Sequence, residues 1–89
     1  MQVFFTKTFL KDLAKVSPAK RRVQIEQFVF EELQKFSSVE EIGVAEKITG
    51  HKDFYKIRFG DYRIGIFKST HFIELRRVLN RKEIYKYFP

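Results

Sequence analysis

Five side chains in the second half of the chain are of types that act on phosphate esters: Lys56, Arg58, Arg63, Arg81 and Tyr85. A guanidinium binds phosphate oxygens in pairs and stays charged. An amine or a phenol can exchange a proton. Such a set suits binding of a phosphodiester and its cleavage by proton transfer, without metal or cofactor. The protein must then accept one proton, donate another, and offset charge on the phosphoryl oxygens. Arg58 and Arg63 suit the last task. Lys56, crowded by arginines, is a candidate base, and Tyr85 is its rival. Arg81 would bind phosphate near the leaving oxygen or act as acid. Glu74 is a further candidate base, whereas His51 and His71 read as surface residues in turns.

The elements that would position these groups follow from periodicity. Phe54–Phe59 alternates, Gly60-Asp61 interrupts, and Tyr62–Phe67 alternates again, which signals a hairpin with a II′ turn. A two-residue turn pairs Phe59 with Tyr62, Arg58 with Arg63, Ile57 with Ile64 and Lys56 with Gly65. Tyr55, Ile57, Phe59, Tyr62, Ile64 and Ile66 then face a core, and Lys56, Arg58 and Arg63 share the opposite face. A longer turn, Lys68–His71, leads into a third strand from Phe72 to Val78. Pairing Phe67 with Phe72 would bring Arg76 beside Arg63 as a further phosphate contact and Glu74 beside Gly65. Like charges directly across a strand pair are destabilising, so this one-sign face reads as a site in preference to a solvated surface. Gly65 would leave room for a ligand atom near Lys56; its alternative is a bulge or the close approach of another backbone.

The N-terminal half reads helical. Val3-Phe4-Phe5 is a short strand, and Thr6 caps a helix carrying Phe9, Leu13 and Val16. Ser17-Pro18 restarts a second helix, with Ser as cap and Pro first in the helix. Ile25, Phe28, Val29, Leu33 and Phe36 form its apolar stripe. The pair predicts an antiparallel helical hairpin. Val44–Ile48 reads as strand or loop. Arg81 and Tyr85 are spaced for one side of a short C-terminal helical turn, while Ile84, Tyr87 and Phe88 pack or meet a partner. The fold expected is α+β, one domain over residues 1–89: an N-terminal strand and helical hairpin on an antiparallel meander.

Composition bounds the rest. With 89 residues the chain needs dense apolar side chains, which its eleven Phe supply. The absence of Cys removes disulfides and thiolate chemistry, and two isolated His make a histidine metal site a poor expectation. No apolar run approaches a membrane span and no signal peptide is read at the start, so the expected location is the cytoplasm. A net charge of +7 favours polyanionic partners.

The segment Phe54–Ile64 with its Gly60-Asp61-Tyr62-Arg63 hairpin, followed by Arg81-Lys82-Glu83-Ile84-Tyr85, resembles the RelE/ParE superfamily of type II toxin–antitoxin toxins. Asn80 stands where many relatives carry His. The resemblance implies a metal-independent endoribonuclease that cuts mRNA on the translating ribosome, the ribose 2′-hydroxyl attacking the neighbouring phosphate as the 5′-oxygen leaves, and that is held inactive by a cognate antitoxin. It carries the family's basic-plus-Tyr set onto Lys56, Arg58, Arg63, Arg81 and Tyr85. The other readings it allows are a non-catalytic ParE-like inhibitor of DNA gyrase and an inactive antitoxin-binding relative. An acidic antitoxin would suit the +7 charge, and Phe30, Phe54, Phe67 and Phe72 are candidate contacts for its apolar side chains.

Overall fold

The computed structural model describes residues 1–89. Five strands form one sheet: β1 (Gln2–Phe5), β2 (Ala45–Lys47), β3 (Phe54–Phe59), β4 (Tyr62–Lys68) and β5 (Phe72–Asn80). Their spatial order is β1-β5-β4-β3-β2, antiparallel except for the β1–β5 pair, which is parallel. The weak Val44–Ile48 segment thus supplies an edge strand. Helices α1 (Lys7–Ala14) and α2 (Ala19–Gln27) cross from β1 to the rest of the sheet, and a short α3 (Ile84–Tyr87) follows β5. Past Gln27 the second helix continues as one widened π turn over Phe28–Glu32, then tightens into a 3-10 turn over Leu33–Lys35. No helix is long and apolar enough to cross a membrane.

Helical and strand periods meet in a single cluster of 14 buried side chains. Phe9 and Leu13 of α1 and Ile25, Val29 and Leu33 of the second helix pack on Ile57, Ile64, Ile66, Ile73, Leu75 and Val78 of the sheet. Thr6 caps α1 as expected, its hydroxyl accepting from the Phe9 N–H at 3.0 Å. Ser17 does not cap α2. Pro18 takes the cap position instead, and the Ser17 N–H donates to the Tyr62 hydroxyl at 3.2 Å.

The first hairpin has the expected register throughout, including Lys56 with Gly65 and Arg58 with Arg63. Gly60 has φ +61° while Asp61 stays outside the left-handed region, as a II′ turn requires. The second hairpin departs from expectation. Phe67 pairs with Glu74, not Phe72, and the pairing shifts at Gly65/Ile66: Ile66 faces Leu75 but Gly65 faces Arg77. Arg76 is therefore the extra residue of a β-bulge, and Leu79, not Arg76, lies opposite Arg63. The bulge sits where β1 ends and α1 begins, and the Thr6 hydroxyl donates to the Arg76 carbonyl there at 3.1 Å. Beside it, Asp12 accepts from Arg77 Nε and Nη2 at 2.7 and 3.1 Å and from the Val78 N–H at 3.2 Å, fastening α1 to β5.

Candidate functional site

The outer face of the sheet, opposite α1 and α2, carries a cleft of about 130 Å³ lined by Glu46, Lys56, Arg58, Arg63 and Tyr85. The alternation of β3 and β4 puts Lys56, Arg58 and Arg63 there together, and the strand pairing holds Arg58 against Arg63. Repulsion between them is met at Arg63. Its Nη1 folds back over the turn and donates to the carbonyls of Gly60 and Tyr62 at 2.7 and 2.9 Å. The residue is only 9 % exposed, yet Nε and Nη2 have no protein partner and remain available to an anion. Arg58 is exposed and makes no hydrogen bond or ion pair within the protein.

Lys56 and Tyr85 meet from opposite ends of the site. Lys56 Nζ donates to the Tyr85 hydroxyl oxygen at 2.6 Å and lies 4.9 Å from the centre of its ring. Glu46, opposite Lys56 on the edge strand β2, brings Oε2 within 4.0 Å of the same ammonium. Tyr85 itself is 62 % exposed, so its hydroxyl proton is open to a ligand.

Two residues of the expected set lie elsewhere. Arg81 sits in the turn between β5 and α3, its N–H donating to the Asp61 carbonyl at 2.7 Å, so it neighbours the hairpin turn but does not line the cleft. Arg76 is carried off by the bulge: its Nε donates to Glu74 at 2.7 Å and its guanidinium lies over the rings of Phe67 and Phe54, at 4.6 and 5.5 Å. Glu74 is thereby engaged outside the cleft, facing Phe67 and not Gly65. The carboxylate that does line the cleft is Glu46, which sequence reasoning passed over because a three-residue strand shows no alternation. The only signal was an acidic residue in the segment preceding the hairpin.

Gly65 leaves no space for a ligand. The ring of Phe88 occupies it, and a Cβ there would lie 2.7 Å from Phe88 Cγ and Cδ2. Phe88 is 5 % exposed and packs edge-on against Phe54 at 5.5 Å. The aromatic residues expected to stand free are likewise engaged: Phe54 and Phe67 lie tilted against each other and Phe72 lies edge-on to Phe4, and all three are half-buried. Phe30 is exposed but lies against Phe5.

A family model for the ParE toxin of type II toxin–antitoxin systems matches residues 3–85. Toxin RelE3 of Methanocaldococcus jannaschii is 46 % identical over 90 residues, covering the whole of both chains. The chain belongs to the RelE/ParE family of type II toxins. Among solved structures, the RelB–RelE antitoxin–toxin complex from Methanococcus jannaschii contains a chain 44 % identical to this toxin. The match covers 97 % of this toxin and 99 % of that chain with a TM-score of 0.79. The RelBE2 complex from Mycobacterium tuberculosis shares the fold at 24 % identity and a TM-score of 0.69, over 90 % of this toxin and 96 % of its counterpart. The α+β architecture, with β1 parallel to β5 and the helical pair α1 and α2 on one face, is thus a RelE-like fold.

Proposed function

We propose that this toxin is a metal-independent endoribonuclease that cuts mRNA on the ribosome, and that the cleft of Lys56, Arg58, Arg63, Glu46 and Tyr85 is its active site. The observation that carries the reading is the grouping of three cations, a carboxylate and an open phenol around one cleft on a face that would otherwise repel itself. The 46 % identity to a RelE toxin supports it.

In this mechanism Arg63, held by two carbonyls, presents Nε and Nη2 to the non-bridging phosphate oxygens, and Arg58 approaches from the neighbouring strand. Fixed donors stabilise charge as it develops, without the reorganisation water would require. The Glu46 carboxylate accepts the proton of the attacking 2′-hydroxyl. Tyr85 gives its proton to the departing 5′-oxygen. The direction of the Lys56–Tyr85 hydrogen bond favours that role, since Tyr85 receives from the ammonium and keeps its own proton free. Lys56 then faces the negative charge left on the phenolic oxygen. Arg81, beside the turn, meets RNA phosphates outside the reacting bond. The products are a 2′,3′-cyclic phosphate and a 5′-hydroxyl. The protein works in the cytoplasm, where a cognate acidic antitoxin binds and restrains it.

Purified toxin, mRNA and ribosomes test the reading. Cleavage that needs ribosomes and falls by about 10²–10³-fold in Arg63→Ala is the expected result. Inhibition of DNA gyrase supercoiling with no RNA cut would replace it with the ParE-like reading. Inactivity in both assays, with antitoxin binding intact, would mark an inactive relative.

A further inference from the structure

We infer that Phe88 and Gly65 form a ball-and-socket that positions Tyr85 for the proposed cleavage, an assignment that rests on that reading for its catalytic consequence. The socket exists because position 65 has no side chain, and the strand register puts it directly opposite Lys56. The ring that fills it belongs to the residue three positions after Tyr85. The last turn of α3 joins the phenol to the anchored ring: Phe88 follows the helix in extended backbone, its N–H donating to the Ile84 carbonyl at 2.9 Å, so the anchor restrains the turn that carries the phenol. The rest of α3 is held on its other sides. Ile84 is 1 % exposed, and the Tyr87 ring lies 5.2 Å from the guanidinium of Arg77, itself clamped by Asp12. Tyr85 is exposed, and the protein contact it makes is with Lys56.

Single-residue packing of this kind matters for chemistry because a misplacement of about 1 Å costs as much as 10²-fold in rate. Phe88 touches neither RNA nor the reacting atoms in this scheme. It is a positioning residue.

The test compares Phe88→Ala, Phe88→Leu, Tyr85→Phe and the double variant Phe88→Ala/Tyr85→Phe in single-turnover cleavage of mRNA on programmed ribosomes. Phe88→Ala is expected to slow cleavage by about the same factor as Tyr85→Phe, roughly 10²-fold, with the Kd for programmed ribosomes unchanged. Phe88→Leu refills the socket and recovers most of the rate. The double variant is no slower than Tyr85→Phe alone, because the anchor acts only through the phenol. Additive losses, or wild-type cleavage by Phe88→Ala, would overturn the proposal. A second measurement needs no activity. In the free protein, nuclear Overhauser contacts between the Tyr85 ring and the Lys56 methylenes should vanish in Phe88→Ala and in Gly65→Ala while core methyl shifts stay in place. Contacts that persist in Phe88→Ala overturn the positioning role whatever the kinetics. Contacts that vanish in a protein whose wild type never cuts RNA would uphold the anchor and remove the cleavage reading instead.

Discussion

The outer face of the sheet has two halves that treat arginine in opposite ways. At the turn end of β3 and β4, Arg58 and Arg63 face each other beside Lys56 with most of their donors unspent. Toward the other end, Arg76 lies over Phe67 and Phe54 and donates to Glu74. The same residue type is structural in one half and open to a ligand in the other. What separates them is aromatic cover: Phe54, Phe67 and Phe88 pave one half, and no ring paves the other save Tyr85 leaning over Lys56. Cations left unpaired across strands cost stability, so the open half is the one that function must account for.

The comparison is sharpened most by removing one arginine from each half. Arg63→Ala should lower ribosome-dependent cleavage by about 10²–10³-fold, the loss typical for a preorganised donor to a developing charge. Circular dichroism should show the fold retained. Arg63→Lys should recover little, since one ammonium cannot reproduce the paired donors. Arg76→Ala should do the reverse. Cleavage stays within a few-fold of wild type, and stability falls by about 0.5–1 kcal/mol in urea titration as its ring contacts are lost. Equal kinetic losses from both would erase the distinction between the halves.

The two hairpins explain how far the sequence could be read. The turn at Gly60-Asp61 allows one register, so the juxtaposition of Lys56, Arg58 and Arg63 is legible in the sequence. The second hairpin hides an extra residue. Its mark is the double step Arg76-Arg77 between the core positions Leu75 and Val78, where strict alternation would allow a single polar residue. Strict alternation would set Arg76 opposite Arg63 and Glu74 opposite Gly65; the extra residue moves both out of the cleft. The docking of Phe88 into Gly65 links residues 23 positions apart in the chain. No local pattern encodes such a contact, and a glycine in a strand reads equally as a gap for ligand, ring or backbone.

Next in size is the clamp that holds α1 to the bulged strand. The Arg77 guanidinium is held charged even more firmly than usual by the hydrogen bonds it donates to Asp12, outweighing partial burial. Asp12→Ala strands this guanidinium and the Val78 N–H together, and should cost about 1–3 kcal/mol of stability in the same titration. A cost near zero would mean the bulge holds itself.

The smallest effect lies at the far rim, where Lys68 donates to Glu40 of the turn before β2. That hydrogen bond, first among its causes, holds the Glu40 carboxyl below the usual carboxylate range and raises Lys68 above the usual lysine range. The lowered carboxyl contributes stability that is full above about pH 4.3 and is lost as pH falls through its depressed folded value. The raised lysine contributes stability that is full below about pH 10.4 and is lost as pH rises through its elevated folded value. Both groups are solvent-exposed, so the urea midpoint should drop only slightly at acid pH, and Glu40→Gln should flatten that limb.

The central claim is that RNA is cut by its own 2′-hydroxyl on the open cationic half of the sheet. An mRNA carrying a single 2′-deoxynucleotide immediately 5′ of the mapped cut, presented on programmed ribosomes, tests it most directly. The account predicts no cleavage at that bond, while the all-ribose message yields a 2′,3′-cyclic phosphate and a 5′-hydroxyl. Cleavage of the deoxy-substituted bond, or a product bearing a 5′-phosphate, would contradict it.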